Sequence, residues 1–96
     1  MSGLDKIIHQ PSRLRIMATL MTMSSGDRIE FVYLRNLLKL SDGNLGAHLL
    51  KLERAGYVTI KKTFVVRKPR TFISPTAKGR SAFGEHIAAL EKIIRG

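Results

Sequence analysis

The stretch SDGNLGAHLLKLERAGYV, Ser41 to Val58, constrains this chain most, because it sets a helix start, a buried face and a helix stop in one continuous run. Ser41 suits an N-cap, where its hydroxyl oxygen accepts a hydrogen bond from a first-turn amide, and Asp42 follows where the helix dipole favours negative charge. Leu45, Leu49 and Leu52 recur at i, i+4 and i+7 and make one buried stripe, while Asn44, Ala47, His48, Lys51 and Arg54 fall on other faces. Gly56 suits the left-handed position that ends many helices. The run therefore predicts a helix over 42–55 with a polar, small-residued outer face, passing directly into extended chain.

From Tyr57 to Ser74 the chain carries two β-rich runs, YVTIKKTFVV and RTFIS, joined by Arg67, Lys68 and Pro69. This predicts a hairpin over 57–74 with a cationic tip. From Arg54 to Arg80 there are eight Lys or Arg and no Asp or Glu, so the net charge of +10 is concentrated here. A polyanion is the expected partner, and the adjoining polar-faced helix points to duplex DNA. Lys61 and Lys62 point to opposite faces of the strand, so one of the two faces that partner. Tyr57 and Phe64 are assigned to core or hairpin packing rather than to stacking, because the neighbouring apolar strand residues need a face to bury.

The rest of the chain reads as supporting elements. Leu4 to His9 is helix-like, with Leu4, Ile7 and Ile8 on one side, and Pro11 separates it from a helix running to about Met23 on Leu14, Ile16, Met17, Leu20 and Met21. SSGDR is a loop, Ile29 to Phe31 a short third strand, and Val32 to Leu40 a helix with Leu34, Leu37 and Leu38 inward. From Thr76 to about Arg95, Phe83, Ile87, Leu90 and Ile94 repeat at i, i+4, i+7 and i+11, the spacing of a helix–helix seam. The expected class is α+β, with a three-helix core, a β-hairpin and an extra C-terminal helix. No internal repeat or low-complexity linker divides the chain, so residues 1–96 are expected to form one domain.

Four segments together resemble the winged helix-turn-helix transcriptional regulators of the MarR-like and ArsR-like group, in their compact members without an effector domain: IHQPSRLRIMATL from Ile8, FVYLRNLLKLSDGNLGAHLLKLERAGYV from Phe31, KPRT from Lys68, and TAKGRSAF from Thr76. Gly46, Val66 and Pro75 depart from that pattern, which more often has Ser, Gly and Leu there. The resemblance implies that the 42–55 helix is the recognition helix, entering a major groove, and that the hairpin is the wing, lying on a minor groove or the backbone. No Ser-His-Asp or two-carboxylate arrangement and no phosphate-binding glycine loop stands out in the sequence, so neither catalysis nor a cofactor is expected.

Major-groove reading needs short polar side chains near the helix start, with cations on phosphates. Ser41, Asn44, Ala47, His48 and Lys51 are the candidates on the helix, and Arg67, Lys68 and Arg70 those on the wing. Asn44 can pair with adenine or serve a local cap, His48 can donate to guanine or to phosphate, and Ala47 can touch a thymine methyl. Arg13 and Arg15 either touch phosphate or are solvated. Gly43 and Gly46 each cost a helix about 1 kcal/mol relative to Ala, which close approach to DNA would explain.

A chain of 96 residues builds only a modest core. The seam on 76–96 is therefore expected to make a homodimer, with Leu4, Ile7 and Ile8 completing its surface, on an inverted-repeat operator. With no cysteine, disulfides and thiolate metal sites are unavailable. His9, His48 and His86 fall in different segments and read as helix-surface residues; Asp5 with His9 and Glu85 with His86 are the only candidate pairs for metal or acid–base work, and no metal site is expected. No apolar run approaches a membrane span and the first residues do not resemble a secretory signal, so a cytoplasmic protein is expected. A winged-helix interaction module and a structured-RNA binder are the alternatives, and no effector can be named from the residues.

Overall fold

The computed structural model describes residues 3–96, so the first two positions of the expected domain lie outside the described residues. Elements follow in the order α1 (Pro11–Met21), β1 (Ile29–Glu30), α2 (Phe31–Leu38), α3 (Asp42–Arg54), β2 (Val58–Val65), β3 (Lys68–Pro75) and α4 (Ala77–Arg95). The strands form one antiparallel sheet in the order β1-β3-β2. Ile29 pairs with Ile73, and Ile60 pairs with Ile73 from the other side, which sets the sheet's apolar centre. The fold is the expected α+β arrangement.

The core is shared by every layer: Ile16, Met17 and Leu20 from α1, Leu34 and Leu38 from α2, Leu45, Leu49 and Leu52 from α3, and Val58 and Ile73 from the sheet. Ile8 joins them, fully buried. The segment before α1 is a turn and not the expected short helix. Asp5 Oδ1 accepts the amides of Ile7 and Ile8 at 2.8 and 3.1 Å, and the Asp5 carbonyl accepts that of His9 at 2.8 Å. Pro11 comes too soon for a helix to propagate. Burial of Ile8 also removes it from any surface shared with a partner chain.

Helix ends obey local chemistry. Gln10 caps α1 by accepting the Arg13 amide at 2.9 Å, and the helix closes at Met21, before the expected Met23, where the Thr22 hydroxyl bonds back to the Thr19 carbonyl at 2.7 Å. In α2 the helix stops at Leu38 rather than Leu40, because Lys39 adopts a left-handed conformation (φ 56°) and the Leu40 amide returns to the Arg35 carbonyl. That reversal turns the chain into α3. It also leaves Leu37, expected inward, half-exposed at 50 %. Ser41 caps α3 through the Asn44 amide at 3.1 Å, and Gly56 (φ 83°) ends it, as expected.

The hairpin turn lies one step earlier than the sequence suggests. Val65 pairs with Lys68, so Val66 and Arg67 alone make the turn and both Lys68 and Pro69 belong to β3. Both turn residues have positive φ, 50° and 63°, the backbone of a type I′ turn that matches strand twist. Pro69 is tolerated because it faces Phe64 one pair beyond the turn-closing pair, where ladder amides point away from the partner strand. A β-branched residue such as Val66 in this region carries strain of about 1–3 kcal/mol.

Candidate nucleic-acid interface

One side of α3 is left to solvent. Ser41, Asn44, Ala47 and Lys51 are exposed and His48 is half-exposed, outside the Leu45, Leu49 and Leu52 stripe. Gly43 and Gly46 lie on the same helix, and a Cβ added at either would meet nothing within 4 Å. Among the described residues no packing accounts for glycine at these two places. Asp42, which opens the helix, is held by Arg35 of α2 at 2.6 Å, so the one acidic side chain of the first turn carries its own counter-charge.

His48 is set by its neighbours. Arg13 Nη1 lies 3.2 Å from His48 Nδ1, and a guanidinium can only donate, so Nδ1 is the acceptor and the ring proton sits on Nε2. Burial, together with the charges of Arg13 and Lys51, holds the His48 pKa below its ordinary value. His48 is thus a neutral ring with a defined donor. Arg13 also donates through Nε to the Ile7 carbonyl, and Arg15 donates to the Leu38 carbonyl at 3.0 Å, so both arginines of α1 act as braces inside the fold.

On the wing, Arg67 and Lys68 are exposed and, among the described residues, make no ion pair. Arg70 differs, being bound to Glu30 at 2.6 Å, which ties β3 to the end of β1. Lys62 lines a hollow with Gly46, Leu50 and Glu53 of α3, whereas Lys61 is on the other face of the strand. Tyr57 packs against the core as expected. Phe64 does not pack; it is 74 % exposed, because β2 has by then run past the helices that cover Val58 and Ile60.

The C-terminal helix meets the body along a line other than its regular apolar stripe. Gly79 and His86 are its buried residues, with Ala82 and Phe83 against the core. Ile87 and Leu90 lie on the flank, half-buried, and Ile94 is 81 % exposed. Gly79 is required: a Cβ there would stand 2.1 Å from the Tyr57 carbonyl oxygen. Thr76 fixes that crossing by accepting the Gly79 amide at 2.9 Å and donating its hydroxyl to the Gly56 carbonyl at 2.6 Å.

His86, expected on the surface, is fully buried at the centre of a polar cluster. The Asp5 amide donates to His86 Nδ1 at 3.0 Å, so Nε2 carries the ring proton and donates to His9 Nδ1 at 3.3 Å. Burial and the nearby His9 keep the His86 pKa below its ordinary value, against the opposing pull of Asp5. Burial alone would raise the Asp5 carboxyl, but the Tyr57 hydroxyl, the Ile8 and Ile7 amides and His86 bring it below the usual value. Tyr57, donating to that carboxylate and partly buried, is pushed up to about 12. Asp5 with His9 is legible as a pair in the sequence, where His86 sits beside Glu85; the fold instead joins His86 to Asp5 and His9. Among the described residues no group of three side chains could hold a metal, and no helix is long and apolar enough to cross a membrane.

The fold that holds a helix with an exposed polar face, a two-stranded basic ribbon beside it and a bracing α1–α2 pair recurs in known proteins. The chain is 42 % identical over 82 residues to an uncharacterized protein of Methanocaldococcus jannaschii, covering 85 % of this chain and 86 % of that one. It is similar in structure to a transcriptional regulator homologue protein from Pyrococcus horikoshii OT3, with a TM-score of 0.84 and 31 % identity over 94 % of this chain and 86 % of the other. A PadR-like transcription factor from Bacteroides fragilis shares the fold, with a TM-score of 0.69 at 18 % identity over 95 % and 94 % of the two chains. Residues 12–94, from the first turn of α1 to the last of α4, match the winged helix DNA-binding domain, and the chain belongs to that family.

Proposed function

We propose that the protein is a cytoplasmic, homodimeric regulator of transcription, close to the MarR-like and ArsR-like group, that reads an inverted-repeat operator. The observation that carries this reading is the outer face of α3. Asn44, Ala47, His48 and Lys51 stand exposed or half-exposed beside two glycines that serve no packing inside the chain, a surface suited to close approach by a groove. Asn44 and His48 read base edges, Ala47 meets a thymine methyl, and Ser41 and Lys51 hold backbone, the latter through phosphate. Arg67 and Lys68 anchor the wing, Lys62 supports them from the α3 side, and Arg70 contributes less because Glu30 already engages it.

Dimerisation uses the far half of α4. Ile93 and Ile94 are exposed, continuing past the half-buried Leu90 and Ile87, and Phe83 anchors the helix to its own core, so the interface begins beyond it. A second copy would cover this end and place two α3 helices about 34 Å apart, one turn of duplex.

Binding to a site selected from a random duplex pool tests the reading. Asn44→Ala or His48→Ala should cost about 1–3 kcal/mol on that site and much less on unrelated duplex. Equal losses on both would show that these side chains do not read bases. Arg67→Ala with Lys68→Ala should weaken all sequences alike and flatten the salt dependence. Ile93→Glu with Ile94→Glu should leave a folded monomer with weaker operator binding; a wild-type chain that sediments as a monomer at micromolar concentration overturns the dimer.

A further inference from the structure

The wing tip is built for more than charge. Val66 and Arg67 form its turn with φ of 50° and 63°, a region where Asn or Gly sits without strain and a β-branched residue does not. Val66 is nevertheless 90 % exposed and Phe64, two residues before it, is also largely open, so neither is held by packing within the chain. The far end of the β2–β3 ribbon thus presents apolar groups that gain nothing from the fold. The next two residues are Arg67 and Lys68.

Exposed apolar side chains edged by cations complement a surface of stacked bases edged by phosphates. Resting on the proposed DNA-binding function, we infer that Val66, backed by Phe64, enters a minor groove as a wedge that opens a flexible base step and bends the duplex, with Arg67 and Lys68 on the flanking phosphates. Apolar side chains placed this way partly unstack a step and kink the duplex. Pyrimidine–purine steps such as TA open easily, and A-tracts resist. The wing therefore selects deformable DNA without a hydrogen bond to any base edge, whereas α3 reads donors and acceptors. Two kinds of specificity reside in two parts of one chain.

The test uses the full chain with two duplexes of about 30 base pairs and equal composition, one centred on TA steps and one on A-tracts. Dyes at the duplex ends report bending by energy transfer, and affinity is measured across a salt series. The wild type should bend the TA duplex by roughly 20° or more and bind it about tenfold tighter than the A-tract duplex, a difference of about 1.4 kcal/mol. Val66→Asn suits the turn, so it should melt at a higher temperature and keep the salt slope while losing the bend and the TA preference. Val66→Ile should keep both. Binding of both duplexes without bend or preference, or a Val66→Asn chain that bends DNA like the wild type, overturns the wedge and leaves DNA binding standing. Failure to bind either duplex overturns both readings. If Val66→Asn loses affinity for vesicles of anionic phospholipid while DNA bending is unchanged, the tip is a membrane element and the wedge is overturned.

Discussion

Helices α3 and α4 both carry apolar residues at helical spacing, yet they meet the body of the protein in different ways. In α3 the stripe of Leu45, Leu49 and Leu52 is buried along its whole length, because α1, α2 and the sheet surround it. In α4 the inward line runs through Gly79, Ala82, Phe83 and His86, so most of the regular stripe of Phe83, Ile87, Leu90 and Ile94, expected to face a second copy, lies at the edge of that contact or beyond it. A glycine decides where α4 meets the α3–β2 corner at Tyr57, and a hydrogen-bonded histidine is buried further along the same line. Apolar periodicity locates a buried face when several elements enclose a helix. It does so less well when one backbone crossing sets the rotation.

The largest expected effect tests the enclosed side of this contrast. Leu49→Ala should destabilise the fold by about 2–5 kcal/mol, whereas Ile94→Ala should stay within about 0.5 kcal/mol in the monomer. Urea melts of both variants check this, and equal losses would erase the distinction between the helices.

Within α4 the glycines offer a sharper version. Gly79→Ala would drive a methyl into the Tyr57 carbonyl, against rigid backbone, and should cost about 1–3 kcal/mol or more. Gly84→Ala, where an added Cβ meets nothing within 4 Å, should instead stabilise by up to about 1 kcal/mol. If both substitutions stabilise, α4 does not lie against the Tyr57 backbone as described.

The polar cluster under α4 should produce a pH dependence. His86 is neutral when folded and its pKa lies below the ordinary 6.5, so the unfolded chain binds more protons in that window. The stability contribution is therefore fully present above pH 6.5 and is lost as pH falls towards the folded pKa. His48, shifted in the same direction on α3, adds to the slope. Denaturation midpoints measured from neutral to mildly acidic pH should fall for the wild type, and more gently for His86→Gln. An unchanged slope in that variant would place its origin outside the cluster. At the alkaline end, Tyr57 is raised from 10.0 to about 12, so its contribution persists below pH 10 and fades as pH rises through 12. Asp5→Asn should move the Tyr57 phenolate titration back down in a Tyr33→Phe background.

The smallest effect concerns the outer face of α3. On the proposed function, Gly46→Ala should raise stability by up to about 1 kcal/mol while weakening DNA binding, because the space beside it is open among the described residues and is the space proposed for DNA. Unchanged binding would assign Gly46 no part in the interface.

Much of this molecule can be read from its residues because the governing interactions are local. The Ser41 cap, the α3 stripe and the Gly56 stop are each set within a few positions along the chain, and the basic ribbon comes from the run of cations between Arg54 and Arg80. The turn after α2 carries no sequence signal because a lysine, not a glycine, takes the left-handed position at 39. The hairpin register reads one step late because Lys68 and Pro69 resemble turn residues, while the residue that turns is a valine.

Local sequence thus determined the helices from α1 onward, the strands, the exposed polar face of α3 and the family to which the chain belongs. Tertiary structure decided the rest, because each remaining feature depends on groups far apart in the chain. Asp5, Tyr57 and His86 are joined only when the N-terminal turn, the α3–β2 corner and α4 converge, and burial then makes each satisfied hydrogen bond obligatory. The rotation of α4 is set by the contact of Gly79 with the Tyr57 backbone, which no periodicity records. Exposure of Phe64 depends on where the covering helices end, a property of the assembled layers and not of the strand itself.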